Sequence, residues 1–291
     1  MKIFILSRTL SNRSDQMLKD AAVKRGHEAD IIRYKDFSLI IDGEKEHIVL
    51  DVEKNVMCDA VIPRFQGNSI GLGIAVLRQF ELKGVHTLVS SLAISRANNH
   101  IRSLQILASR GIPVPKTFIT TADRVHDNLI EQFTLPVIVS QAYGTTSQPV
   151  LIETRKTLGS VLSVLRNSSD PIVIQEQQII AEGGRYKALV VGSSIAASMK
   201  VVRDGSEVKY KALPLKQDAQ KIVTKVSKAT GLSVFEIEII ETIQGPKVTA
   251  ISAVPDIALM HDVTNRDVAG KIIEYVERNA KSKPKKDKVG A

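Results

Sequence analysis

The chain of 291 residues contains one cysteine, no tryptophan and only 4% aromatic residues. The single Cys58 excludes an intramolecular disulfide and fits a reducing compartment, so we expect a cytoplasmic location. So few aromatic side chains argue against a platform on which nucleobases stack. There is also no run of about eighteen apolar residues, which excludes a membrane-spanning helix.

Acidic residues are the minority among the charged ones, with 31 Asp and Glu against 40 Lys and Arg, a net charge of +9. Part of the excess lies in the last residues, 281–291, where five lysines stand against one aspartate between Lys281 and Lys288. Such a block cannot bury a core, so we expect a disordered basic tail. The tail either attracts an acidic partner or serves only as a solvated end.

The first hundred residues alternate short apolar runs with helical patterns that end at glycine. The run Met1–Leu6 and the helical stretch Ile74–Lys83, which Gly84 ends, are examples. This alternation is typical of a small parallel α/β domain, which we place at residues 1–95. A central subdomain at 96–175 is predicted to contain the strands Val137–Ser140 and Ile172–Gln175.

The remaining part, 176–280, has patterns of both strands and helices. The runs Tyr186–Val191 and Ala196–Val202 flank a glycine-serine turn and predict a hairpin. Apolar residues at helical spacing between Ala219 and Ala229 predict an amphipathic helix. A last helix, about Val268–Ala280, follows Thr264 or Asn265 as its cap. The predicted class is therefore α/β with an α+β C-terminal part.

Several phrases, in the same order and at the same spacing, resemble the RimK family of glutamate ligases, which have the ATP-grasp fold. The resemblance covers residues 1 to about 280 and implies an ATP-grasp fold preceded by an α/β pre-ATP-grasp domain. The phrases are Asp59-Ala-Val-Ile-Pro-Arg64, Leu77-Arg-Gln-Phe-Glu-Leu-Lys-Gly84, Arg102-Ser-Leu-Gln-Ile-Leu-Ala-Ser-Arg-Gly111, Gln175-Glu176, Leu189-Val-Val-Gly192 and Asp267-Val-Ala-Gly-Lys271.

The resemblance implies chemistry in which ATP phosphorylates a carboxylate and an amine then displaces the phosphate. That chemistry needs cations around the triphosphate and carboxylates that hold magnesium. Two family lysines that would contact phosphates correspond here to His100 and Ser140. The glycine-rich phosphate loop corresponds to residues 142–150, which keep Gly144 and contain Pro149.

By the same resemblance, the segment Glu176, Gln177, Gln178 and Ile179 matches the family's adenine-binding edge. It could still frame a purine through its backbone, or it could simply be a strand end that packs. The family's Asp and Arg beside the substrate correspond to Arg185 and Lys187.

The metal positions of the family correspond to Glu238 on the penultimate strand and to Ala250 and Ser252 on the last. Glu238 is the only remaining acidic candidate, and we interpret it as a solvent-facing strand residue. Magnesium is normally held by one or two carboxylates together with phosphate oxygens. We therefore expect no metal site.

These replacements predict a catalytically degenerate binding or regulatory subunit that associates with itself or with a protein partner. No cofactor is then expected. The alternative is an active carboxylate–amine ligase that uses ATP and magnesium to add an amino acid such as glutamate to a protein or small molecule. A basic nucleic-acid-binding protein is a third possibility, disfavoured by the scarcity of aromatic residues.

Overall fold

The computed structural model describes residues 1–41, 46–50, 53–54, 56–65, 70–121, 131–141, 150–165, 171–178, 180–204 and 207–280. Three predicted features fall outside these residues: Ile179, the loop at 142–149 and the tail at 281–291. The predictions made for them therefore stay predictions.

A four-stranded parallel sheet in the order β2-β1-β6-β7 forms the N-terminal part. Five of the six residues of β1 are buried, as an inner parallel strand requires. Helix α1 follows β1, and the side chain of Asn12 caps it by accepting from the Asp15 amide. These elements are β1 (Lys2–Ser7), α1 (Arg13–Lys24), β2 (Glu28–Arg33), β6 (Ala60–Arg64), α2 (Gly71–Leu82), β7 (His86–Thr87), α3 (Ser91–Ala97) and α4 (His100–Ser109).

A small antiparallel sheet with the order β3-β4-β5 is inserted between β2 and β6. It was not predicted. The apolar residues Phe37 and Ile48 of this sheet belong to the N-terminal core. The strands are β3 (Phe37–Ile41), β4 (Glu46–Leu50) and β5 (Glu53–Lys54), preceded by a 3-10 turn at Tyr34–Asp36.

The central part is a second antiparallel sheet, in the order β10-β9-β11-β8, accompanied among its described residues by one helix. The predicted strands Val137–Ser140 and Ile172–Gln175 are neighbours in it, which confirms that prediction. Its core is a cluster of its own that includes Phe133, Val137 and Ile174. The elements are β8 (Thr117–Thr120), β9 (Val137–Gln141), β10 (Val150–Ile152), α5 (Arg155–Leu165) and β11 (Ile172–Glu176).

A five-stranded antiparallel sheet, ordered β14-β13-β12-β15-β16, closes the fold. The predicted hairpin around Gly192 is formed by β12 and β13. Helix α6 ends at Gly231, whose φ of 71° is the left-handed conformation favoured at a helix C-terminus. The elements are β12 (Ile180–Val191), β13 (Ser194–Asp204), β14 (Glu207–Ala212), α6 (Gln217–Thr230), β15 (Val234–Thr242), β16 (Gly245–Ser252), α7 (Ile257–Thr264) and α8 (Val268–Ala280).

The predicted cap of the last helix is wrong. Asn265 has a φ of 51° and ends α7 in the left-handed conformation. Asp267 starts α8 instead, because its Oδ1 accepts from the Gly270 amide at 2.8 Å. The sequence Thr264-Asn-Arg-Asp267 offers three side chains that can cap, and periodicity alone does not choose among them.

One hydrophobic core runs through both the N-terminal sheet and the C-terminal sheet with its helices. Phe4 and Leu18 from the first part belong to it together with Phe235 and Ile272 from the last. The central sheet, which lies between these parts in sequence, has the separate core described above. Across the described residues, no helix is both long enough and apolar enough to cross a membrane.

Candidate functional site

Charged side chains gather on one face of the C-terminal sheet. The antiparallel register places Lys187 on β12 opposite Glu238 on β15, and Glu238 opposite Ala250 on β16. Two residues earlier on β15, Glu236 lies opposite Ser252. Because side chains at i and i+2 of a strand point to the same side, Glu236 and Glu238 share this face.

Lys187 bridges the two carboxylates. Its Nζ lies 3.1 Å from Oε1 of Glu236 and 2.9 Å from Oε1 of Glu238. Burial lowers the pKa of Lys187, but Glu236 and Glu238 outweigh burial, so the pKa lies well above the ordinary lysine value. Lys187 is therefore a permanent cation at neutral pH. We call Lys187, Glu236 and Glu238 the cleft cluster.

Further contacts use the remaining carboxylate oxygens of the cleft cluster. Oε2 of Glu236 accepts from the backbone N–H of Asp256 at 3.2 Å. Oε2 of Glu238 lies 4.0 Å from Nη1 of Arg185. Three of the four carboxylate oxygens therefore already accept from a donor of the protein, and the fourth lies at ion-pair distance from Arg185.

Glu238, predicted to face solvent, does so only in part. Its side chain is 25% exposed and is held by Lys187. Glu236, which lies on the same face, is 8% exposed and therefore buried. Alternation along β15 correctly places the two glutamates together, but it does not reveal that Lys187 from another strand covers them.

The residues present do not fit a magnesium ion of the kind that the ATP-grasp chemistry uses. Both glutamates accept hydrogen bonds from Lys187, and β16 has no Asp or Glu among its eight residues. The hydroxyl of Ser252 donates to the carbonyl of Val254 at 3.2 Å. Within the part of the chain that the structure describes, no group of three or more His, Cys, Asp or Glu could hold a metal.

His100, the first residue of α4, lies in a cavity of about 490 Å³ between the N-terminal sheet and β16. Desolvation by its neighbours lowers the pKa of His100 below the ordinary 6.5, so its imidazole is neutral at pH 7, although part of the residue is exposed to solvent. Arg8 and Phe65, which directly follow the carboxyl ends of β1 and β6, also line this cavity, as does Ser252. Sequence reasoning missed Arg8 and Phe65, although the ends of parallel strands are where α/β proteins commonly bind ligands.

The segment Glu176–Gln178 begins at the last residue of β11 and makes internal contacts. The Glu176 amide donates to the Lys116 carbonyl at 3.0 Å, and the Gln177 amide donates to the Pro136 carbonyl at 2.9 Å. Oε1 of Gln178 accepts from Lys247 Nζ at 2.6 Å. Two of the predicted purine-binding amides are thus engaged within the protein, as the packing alternative requires.

Ser140 lies on β9 in the central sheet, opposite Val173 of β11. It is therefore on a different sheet from Lys187 and Glu238, and it offers a hydroxyl where the resemblance expects a lysine. The structure brings His100 and Ser252 into one cavity and Lys187 and Glu238 into one cluster. Whether Ser140, Gln177 and Lys187 bind a nucleotide stays a prediction.

A second charged cluster connects the N-terminal sheet to the segment after β16. Nε of Arg64 donates to Oδ1 of Asp15 at 2.7 Å, and Oγ of Ser7 donates to Oδ2 of Asp15 at 2.5 Å. Nη1 of Arg64 donates to the carbonyl of Pro255 at 2.8 Å. We call Ser7, Asp15 and Arg64 the anchor cluster. Through Pro255 it fixes the chain next to Asp256, whose backbone N–H donates to Glu236.

Two known domain families match this chain in succession. The RimK PreATP-grasp domain matches residues 1–94, and the RimK-like ATP-grasp domain matches residues 97–276. The chain is also 33% identical over 292 residues to a protein of Picosynechococcus sp. named "Probable alpha-L-glutamate ligase", with 96% of each chain covered. A protein of Aliivibrio fischeri with the same name is 34% identical over 295 residues, with 97% of each chain covered.

Solved structures show the same fold at lower identity. The ATP-grasp ligase PsnB, complexed with a minimal precursor, Mg and ADP, has a TM-score of 0.75 at 16% identity, with 97% of this chain and 98% of that chain covered. D-alanine–D-alanine ligase from Bacillus anthracis, complexed with ATP, has a TM-score of 0.68 at 14% identity, with 96% and 97% covered.

The predicted ATP-grasp fold with an N-terminal pre-ATP-grasp domain is confirmed. The names of the relatives support the ligase alternative better than the prediction of a degenerate subunit. The matches of both domain families and the whole-length identity show that the chain belongs to the RimK family of ATP-grasp proteins.

Proposed function

We propose that this RimK-family protein works as a binding or regulatory subunit built on an ATP-grasp scaffold. The observation that carries the proposal is the face of β15 and β16. There, Ala250 and Ser252 stand where the resemblance expects metal ligands, and Lys187 holds the two glutamates. A protein with this face has lost the means to place a divalent cation against phosphate oxygens.

The phosphate positions support the same proposal. A ligase of this type stabilises the charge that develops on phosphate with fixed cations. Each such contact lowers the activation free energy by several kcal/mol. Partial desolvation favours the neutral form of His100, and Ser140 carries no charge. The two changes together remove two positive charges from the positions at which the resemblance expects them.

The proposed ligand is a protein or peptide. PsnB is described in complex with a precursor peptide, and the macrocyclase MdnC is bound with the precursor peptide MdnA. A scaffold that lacks chemistry must act through its surfaces, so we also propose association with itself or with a protein partner. The tail Lys281–Lys288 is proposed to favour an acidic partner.

We propose a cytoplasmic location and a division into domains at 1–95, 96–175 and 176–280.

The second candidate is an active carboxylate–amine ligase that uses ATP and magnesium. Whole-length identity of 33–34% to proteins named as glutamate ligases supports this second candidate better than it supports the first. Such an enzyme would need cations and metal ligands other than the family's. Lys187, Lys200 and Lys209 are among the cations that the C-terminal sheet offers for that purpose, and Glu238 is the acidic residue available to it.

Phosphate release from ATP, measured with magnesium and L-glutamate, separates the two candidates. One of the curated relatives serves as the positive control. The first candidate predicts that the native protein releases phosphate at the rate of the buffer blank. Release that depends on both magnesium and an amino acid would establish the ligase.

A variant with the family's charges restored tests the reason for inactivity. We expect it to bind ATP with magnesium about tenfold more tightly than the native chain, because a hydrogen bond to a charged group contributes about 1.5–3 kcal/mol. Weaker binding would mean that the native site was rebuilt rather than lost. The variant carries His100→Lys, Ser140→Lys, Ala250→Glu and Ser252→Asn.

A further inference from the structure

The charges of the cleft cluster are balanced once the neighbouring Arg185 is included. Glu236 and Glu238 contribute two negative charges, and Lys187 and Arg185 contribute two positive ones. The two carboxylates project from alternate residues of one strand, so they would repel each other without a cation between them. Lys187 Nζ occupies the place where such a cation must lie, within 3.1 Å of an oxygen of each glutamate.

Little room is left for a second cation at the same oxygens. A bound magnesium ion requires oxygen ligands at roughly 2.0–2.1 Å and keeps octahedral geometry. Oε1 of both glutamates already accepts from Lys187, and Oε2 of Glu236 accepts from the Asp256 amide. A divalent ion could bind here only by expelling the ammonium group from between the carboxylates.

We propose that Lys187 is a built-in cation that closes the pair Glu236 and Glu238 to divalent metal ions. Removing the ammonium group, with the sheet left intact, uncovers two adjacent carboxylates. These are the ligands that hard cations such as Mg²⁺ and Mn²⁺ prefer. In the native protein, the ammonium group of Lys187 thus blocks a divalent-cation site at Glu236 and Glu238. The inference rests on the proposed loss of metal binding and gives a reason for it. It makes a statement only about Lys187, Glu236 and Glu238.

Mn²⁺ binding, followed by electron paramagnetic resonance without nucleotide, tests the inference. Lys187→Met is expected to bind Mn²⁺ at least roughly tenfold more tightly than the native protein, because two freed carboxylates become available to it. Lys187→Arg keeps a cation in place and is expected to behave like the native protein. Lys209→Met is the matched control, because it removes a lysine from the exposed ion pair with Glu207 on the same sheet.

Equal Mn²⁺ affinity of the native protein and Lys187→Met would overturn the inference. If Lys187→Met does not fold, the native protein and Glu238→Gln decide the matter. Equally weak binding by these two supports the inference, whereas native binding that Glu238→Gln abolishes overturns it. Since the titration contains no nucleotide, its result is separate from the phosphate-release test of function.

Discussion

The anchor cluster and the cleft cluster each place a cation beside buried acid, but they differ in exposure. In the anchor cluster, the side chains of Arg64 and Asp15 are only 5% and 1% exposed. In the cleft cluster, Lys187 and Glu238 are 22% and 25% exposed. One cluster is sealed inside the protein, and the other is partly exposed to solvent.

The difference separates the parts that hold the fold from the parts that would perform the chemistry. The anchor cluster joins β1, α1 and β6 to the Pro255 carbonyl, and these contacts position the N-terminal sheet on the C-terminal one. The cleft cluster and Arg185 instead neutralise one another's charges on a face whose neighbours are Ala250 and Ser252. The contacts that hold a family scaffold together can therefore be kept separate from the charged groups that decide its function.

The largest expected effect is that of Arg64→Met. It leaves the Asp15 carboxylate buried without its charged partner, which typically costs about 3–5 kcal/mol in the free energy of unfolding. Urea denaturation measures this loss. Arg13→Met is the control, because Arg13 pairs with Asp262 across the same interface but is 64% exposed. A loss no larger than that of the control would contradict the role assigned to the anchor cluster.

Lys187→Met is expected to have an intermediate effect on stability. The cluster loses two hydrogen bonds to charged groups, for which we expect about 1–3 kcal/mol of destabilisation. The double variant with Glu238→Gln removes one of the repelling charges and should regain part of the loss in urea denaturation. If Lys187→Met were as stable as the native protein, the ammonium group would not be what holds the glutamates together.

The smallest expected effect comes from Glu277, at the interface of α8 with the N-terminal part. The hydrogen bond from Arg25, opposed by burial and aided by a contact with His27, lowers the pKa of Glu277 to about 2. Because the folded-state pKa lies below the ordinary 4.5, the carboxylate stabilises the fold above pH 4.5. That contribution disappears as the pH falls toward 2.

Thermal unfolding of Glu277→Gln at several pH values checks this sign. At pH 7 we expect an unfolding midpoint lower than that of the native protein by no more than about 2–4 °C. The difference should shrink as the pH falls below 4.5. A difference that stays constant down to pH 2.5 would show that the charge of Glu277 does not contribute.

The sequence predicts much of the fold because its patterns are local. The hairpin at Gly192 and the end of α6 at Gly231 follow from turn residues and from periodicity within about fifteen residues. The small sheet β3–β5 was missed, since its strands are at most five residues long and carry little alternation. The cap at Asp267 was missed because three adjacent side chains can all act as caps.

The candidate site was only partly predictable. Alternation along β15 places Glu236 and Glu238 on one face, and the family resemblance points to Lys187 and Glu238. That Lys187 reaches both glutamates depends on how β12 pairs with β15, and this pairing contains a register shift between Ile180 and Arg185. A sequence read one strand at a time does not contain that information.

A titration of the native protein with ATP, carried out with and without magnesium in a calorimeter, tests the central claim most directly. The claim is that the chain keeps the fold of its family but not the charges that hold ATP and metal. We predict that magnesium causes no gain in ATP affinity. Saturable ATP binding that requires magnesium, and that Glu238→Gln weakens, would contradict the account.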